Sequence, residues 1–173
     1  MVTDGDFQDV WKFDTASSLW SHVAGPRTVH GHPSYGTKGV GSATNLPPAE
    51  HAGVIFRHLS TSEQMYYFGG ENGSETSGMR NGLWNFDVNA TQWAWVSGAK
   101  GYNGSATYGE RHVAGAANTP GARYAGQGWV VAGAGGGGNA GEGGKLWLFG
   151  GYGLDVDGNA GYLADTWSYD LNG

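Results

Sequence analysis

The chain of 173 residues contains no cysteine. Disulfides and thiolate metal sites are therefore excluded, while the compartment stays open. Proline is scarce, at 5 residues, and there is no Gly-X-Y period, so a collagen-like fibre is excluded. Basic side chains are few: 9 Lys+Arg stand against 15 Asp+Glu, for a net charge of −6. Such a chain does not track a phosphate backbone, and nucleic acid is not an expected partner. No apolar run approaches the ~18 residues of a membrane span. The opening residues MVTDGDFQDVWKFD show neither the basic nor the apolar region of a secretory signal. No long segment carries a 3.6-residue apolar period, so no long helix is expected.

Glycine and aromatic residues are abundant instead: 34 Gly, 8 Trp, 9 Tyr and 6 Phe. A flexible linker would lack the large apolar side chains. The combination predicts an all-β protein of short aromatic strands separated by glycine-rich turns.

The sequence repeats. Val10-Trp11-Lys12-Phe13-Asp14, Leu83-Trp84-Asn85-Phe86-Asp87 and Thr166-Trp167-Ser168-Tyr169-Asp170 share the pattern x-Trp-x-aromatic-Asp. From Trp11 to Trp84 is 73 residues and from Trp84 to Trp167 is 83. The first spacing also maps Trp20 to Trp93, Gly25 to Gly98, Tyr35-Gly36 to Tyr108-Gly109 and Asn45 to Asn118. Tyr66-Tyr67-Phe68-Gly69-Gly70 aligns with Trp147-Leu148-Phe149-Gly150-Gly151, so the later copy carries an insertion, placed in the glycine tract Gly133–Gly144.

Alternation predicts four strands in the middle copy, over 53–57, 64–68, 82–87 and 92–96. The first copy supplies 9–14 and 19–24, and the last 127–132, 146–149 and 165–170. Asp14, Asp87 and Asp170 end strands, where a carboxylate can cap the following turn.

Four short antiparallel strands in series are a β-propeller signature. The run Phe68-Gly69-Gly70, then Trp84 to Asp87, then Trp93 resembles the Kelch motif, as does Gly150-Gly151 followed by Trp167 and Asp170. The resemblance implies an incomplete Kelch-type propeller. Residues 1–25 are a half blade (strands three and four), and 26–52 are a connector loop. Residues 53–98 are a complete blade, 99–126 a second connector, and 127–173 a blade lacking its fourth strand. Closed propellers use about four to eight blades, so a piece of a larger protein, or one completed by a partner, is expected. Trp and Tyr are expected to fill the wedges between blades.

Motifs for chemistry are sparse. Gly133 to Gly138 satisfies Gly-x-Gly-x-x-Gly, but Lys145–Phe149 after it reads as a strand, not the helix a dinucleotide needs. Asp155, Asp157 and Asn159 place oxygens at alternate positions, as the start of a calcium loop does; position twelve, however, is Thr166. The turn reading is preferred, and no metal or other cofactor is expected. Galactose-oxidase-like enzymes share Kelch-type blades, but their copper site needs a cysteine. No nucleophile elbow or Ser/His/Asp trio is present, so an enzyme is not expected. Sequons at Asn72, Asn89 and Asn103, all in expected loops, lean toward an extracellular or lumenal setting and would accept a glycan.

The resemblance implies a non-catalytic protein–protein interaction scaffold. Its expected contact surface is the loop-bearing face, built from the connectors and the loops 71–81 and 152–164. Candidate contact residues are Tyr35, Tyr102, Tyr108, Arg111, His112, Arg123 and Tyr124, since aromatics and Arg make interface hot spots. Two alternatives stay open: a carbohydrate-binding module of a secreted or surface protein, and a structural subunit of a large assembly whose open blades are completed by partner chains.

Overall fold

A computed structural model describes residues 5–29, 31–57, 64–73, 78–131 and 144–171. The described residues are all-β, with no helix among them. Strands β1 (Val10–Asp14) and β2 (Leu19–Ala24) form an antiparallel pair. The central sheet joins β3 (Val54–Arg57), β4 (Gln64–Phe68), β7 (Leu83–Asp87) and β8 (Gln92–Ser97) in the order β3-β4-β7-β8. Between β4 and β7, β5 (Glu71–Asn72) and β6 (Gly78–Met79) make a small ladder. The last sheet runs β10 (Gln127–Val131), β11 (Lys145–Leu154), β12 (Ala160–Asp170), with β9 (Arg123–Tyr124) against β11.

The repeat is visible in the backbone. Left-handed φ values recur at matched positions: Ser18 and Thr91 (58° and 54°), Ala52 and Ala125 (54° and 53°), Gly70 and Gly151 (107° and 98°). Gly25 and Gly98 share φ values of 88° and 85°. A Cβ at either would collide with a backbone oxygen, Gln8 O or Asn81 O, so glycine is required by close approach as well as by φ. Asn45 and Asn118 each donate to the carbonyl five residues earlier, Val40 and Val113, at 2.9 and 3.0 Å. Turn capping follows the repeat too: Asp14 accepts from the Ala16 and Ser17 N–H groups, and Asp87 from that of Ala90.

Alternation decides packing. One face of the central sheet carries Trp84, Phe86 and Trp93, packed against Val10, Val23 and Ala24 of the first pair. The other face carries Val54, Phe56, Phe68 and Leu83, against Leu146 and Leu148 of the last sheet. The cross-strand pair Trp84↔Trp95 has Trp11↔His22 as its counterpart, the latter rings lying 5.3 Å apart, edge to face.

Three expectations change. Trp93 is 5% exposed and fills a wedge, but its counterpart Trp20 is 66% exposed, because no described sheet lies against that face of the first pair. Residues 152–164 are not a loop: β11 and β12 continue through Gly150-Gly151 and pair to Leu154↔Ala160, turning over Asp155–Asn159. Within 71–81, β5 and β6 pair, so Asn72 lies in a strand. The Gly133–Gly144 tract lies outside the described residues apart from Gly144.

Candidate functional site

The loop ends of the central sheet enclose a cleft of about 380 Å³. Its walls come from separate segments: Asp6 near the N-terminus, His32, Pro33, Pro48, Ala49 and His51 from the first connector, Asn72 from β5, Arg80, and Tyr102 from the second connector.

Tyr102 is held in place from several sides. Asn103 N–H donates to Met79 O at 2.8 Å, and Met79 N–H donates to Asn103 Oδ1 at 2.9 Å, pinning the connector to β6. Gly78 carries no Cβ where one would run into the Tyr102 ring. The Arg80 guanidinium lies 3.5 Å from the ring centre, a cation–π contact. Asn72 Nδ2 donates to the Tyr102 hydroxyl at 2.8 Å.

Arg80 is anchored from below. Its Nη1 donates to Lys100 O at 2.6 Å, and its Nε lies 2.9 Å from Glu50 Oε1. That pair is buried, with side chains 6% and 1% exposed. Burial pushes the Glu50 carboxyl up to about 8, with Arg80 pulling the other way. Burial and the charge of Glu50 also raise the Tyr67 hydroxyl far above its usual range.

At the rim, His51 lies between two carboxylates: Nδ1 is 3.2 Å from Asp6 Oδ1 and Nε2 is 3.2 Å from Glu71 Oε1. The two ring nitrogens point apart, so this is a clasp between segments and not a convergent ligand set. No group of three His, Cys, Asp or Glu fit to hold a metal occurs among the described residues. Cleft chemistry is thus acceptor-rich and aromatic, with one guanidinium behind Tyr102; among its described lining residues there is no hydroxyl or amine nucleophile next to a base.

The sequence-predicted contact residues divide. Tyr102 lines this cleft, and Tyr124 lines a second one of about 440 Å³, beside Tyr152, Tyr162 and Phe149. There Tyr124 and Tyr152 have ring centres 5.6 Å apart, and Tyr152 and Tyr162 5.3 Å. Arg111 and His112 are exposed in a turn. Tyr35, Tyr108 and Arg123 have packing partners within the chain. Tyr35 lies 5.0 Å from Trp84 and Tyr108 4.9 Å from Trp167, so each connector tyrosine seats on the next copy's motif tryptophan. Arg123 is fully buried. It donates to Asp165 through Nη1 at 2.6 Å and Nη2 at 2.9 Å, and to Gly121 O through Nε at 3.0 Å. Burial pushes the Asp165 carboxyl up, but hydrogen bonds from Arg123, Trp167 and Tyr108 outweigh it and hold it below the usual range.

Asp155 spends its carboxylate on its own turn, accepting from Asp157 N–H at 2.9 Å and Asn159 N–H at 2.8 Å, which lowers its pKa. The sequon side chain Asn72 is committed to Tyr102 and Gly78, unlike Asn89 on its exposed turn.

Glu50, His51, Arg80 and Asp6 were not among the predicted residues. A signal existed for two of them: Glu50 follows Pro47-Pro48-Ala49, and Arg80 precedes Asn81-Gly82-Leu83, so each charge lies in an otherwise uncharged run. No protein-family model matches the chain, and no curated protein matches it either.

Proposed function

We propose that the chain belongs to a Kelch-type β-propeller and acts as a non-catalytic scaffold for protein–protein interaction through the cleft at Tyr102. The blade reading is supported by the four-stranded antiparallel central sheet and by the matched Gly-Gly, Trp and Asp positions of the copies. The observation that carries the function is Tyr102 itself, presented on a buried Arg80 at the mouth of a cleft walled by several segments. A preorganised aromatic backed by a guanidinium is hot-spot chemistry.

A photo-cross-linking residue placed at 102, with a second placed at Val88 in an exposed turn, tests the reading. A defined protein captured from 102 and not from 88 supports it. The same products at both positions, or none, refutes it. The row Tyr124, Tyr152, Tyr162 favours a second reading, a carbohydrate-binding module, because tyrosine rings stack on sugar faces. A glycan array settles that one: signal lost in Tyr162→Ala supports it, and an empty array refutes it.

A further inference from the structure

Cations are scarce in this chain, and their placement is uneven. Of the 9 Lys and Arg, Arg80, Arg123 and Lys145 are paired with Glu50, Asp165 and Asp170. Two others, Lys38 and Lys100, come from different connectors and meet on one indole. Lys38 Nζ lies 5.6 Å from the Trp95 ring centre and Lys100 Nζ 4.9 Å from it. Lys100 Nζ is also 5.5 Å from the centre of Tyr35. Both lysines are exposed, and among the described residues neither makes an ion pair.

The backbone fixes the two in place. The first connector runs along the outer edge of β8: Gly39 N–H donates to Trp95 O at 2.8 Å and Ser42 N–H to Trp93 O at 3.2 Å. Lys100 is held through its carbonyl, which accepts from the Tyr35 hydroxyl at 2.9 Å and from Arg80 Nη1 at 2.6 Å. Trp95 Nε1 donates to Ser97 O at 2.8 Å, which holds the ring. Each lysine is followed by a glycine, Gly39 or Gly101, at which an added Cβ meets nothing within 4 Å. The space beside both is open, so a ligand can reach peptide groups as well as ammonium groups.

No carboxylate from the neighbouring chain offsets these charges. Residues 15–49 and 88–109, which supply the first connector, β8 and the start of the second connector, contain no Asp or Glu. The repeat does not demand this: Thr37, next to Lys38, has Glu110 at its matched position, next to Arg111. A chain of net charge −6 thus keeps one surface where two like charges converge uncompensated. Like charges held on a fixed frame repel each other, and a negatively charged ligand relieves that repulsion.

We propose that Lys38 and Lys100, with the open peptide groups at Gly39 and Gly101, bind an anionic carbohydrate, a sugar chain carrying sulfate esters. Ammonium groups act as point charges, whereas planar carboxylates and phosphates are matched best by the arginine fork, and this pair includes no arginine. Ser42 Oγ and Thr44 Oγ1, 2.9 Å apart at the surface farther along the same edge, add hydroxyl groups for sugar contacts. Single-stranded nucleic acid fits less well: the Trp95 ring already carries two cations and an edge-on Tyr35, and it is not left to stack a base. Neither lysine lines either cleft, so the site stands apart from both readings given above.

The probe is a fluorescently labelled heparin octasaccharide, titrated against the full chain by fluorescence polarisation at about 50 mM salt. Saturable binding is expected, at least tenfold tighter than to the desulfated octasaccharide, and weakening as salt rises. Lys38→Gln and Lys100→Gln should each weaken it at least threefold, and the double variant at least tenfold. Lys12→Gln with Arg57→Gln removes two exposed cations elsewhere and should leave it unchanged, as should Tyr162→Ala. All of these side chains are exposed, so the substitutions leave the fold intact. No saturable binding, or binding retained in the Lys38/Lys100 double variant, overturns the proposal. So does an equal loss in the Lys12/Arg57 pair, which would mean diffuse attraction to any cation. An octaglutamate peptide or an eight-nucleotide oligo-dT that binds as tightly as the octasaccharide also overturns it, since the ligand would then not be a sulfated sugar.

Discussion

Replacing Asp165 by Asn should be among the most damaging conservative changes in this chain. The carboxylate accepts four hydrogen bonds: from Arg123 Nη1 at 2.6 Å, Arg123 Nη2 at 2.9 Å, Trp167 Nε1 at 2.6 Å and the Tyr108 hydroxyl at 2.8 Å. Asn has the same shape but only one acceptor oxygen, and its NH₂ group would face donors. Arg123 is fully buried and would keep its charge with no counter-ion. Removing one partner of a buried ion pair costs about 3–5 kcal/mol. For a chain of this length that lowers the melting temperature by about 6–20 °C. Tryptophan fluorescence during thermal and urea unfolding at pH 7 reads it, because Trp167 reports on the site directly. Asp165 is held below its ordinary pKa of 3.8, so its contribution is present above that value and fades as pH falls through the folded pKa. The gap between wild type and variant should therefore narrow below pH ~4. A loss under about 1 kcal/mol at pH 7 would refute the reasoning, as would a gap that does not close in acid. Should the variant not fold, Arg123→Met gives the complementary test: Asp165 keeps two donors, and the expected loss is smaller, about 1–3 kcal/mol.

Further outcomes follow from the same geometry. Glu50 has a folded pKa of about 8, above its ordinary 4.5, so it favours the folded state below 4.5 and loses that contribution as pH rises through 8. Melting temperature should fall from pH 5 to 8 in the wild type, and Glu50→Gln should flatten that fall; an unchanged slope would count against the assignment. Trp93→Ala should cost about 3–5 kcal/mol and Trp20→Ala within about 0.5 kcal/mol, although the two share a repeat position. Equal losses in urea melts would contradict their different burial. Gly98→Ala adds a collision with Asn81 O to a strained φ, whereas Gly39→Ala, at φ 77°, meets nothing within 4 Å. The first should cost more than the ~1–3 kcal/mol of backbone strain alone and the second no more than that; a reversed order in thermal shift assays would show that close approach does not set the requirement.

The strands of the central sheet were legible because period-2 alternation and Gly-Gly punctuation are local signals. Trp84 and Phe86 could be placed on one face from spacing alone. What covers a face was not legible: Trp11-x-Phe13 and Trp84-x-Phe86 read alike, yet the first pair of rings is exposed and the second buried. The hairpin over 152–163 was missed because its Gly-rich strands resemble a loop until a partner strand is known. The cleft was half legible. Tyr102 stood out as an aromatic in a connector, but Arg80 and Glu50 meet across 30 residues, a pairing fixed by the sheet order. Arg123 looked like a surface hot spot because arginine usually is exposed; its counter-ion lies 42 residues away.

The position of β12 bears on how the protein behaves at high concentration. It is the last strand of its sheet among the described residues, and its outer edge runs for 11 residues. An open edge of that length invites strand addition from other molecules, which many proteins discourage with an inward-pointing charge. Asp165 is already committed to Arg123, so that deterrent is spent on internal stability. Strand addition should therefore be favoured along this edge, and lysine at Ser168 should raise soluble yield.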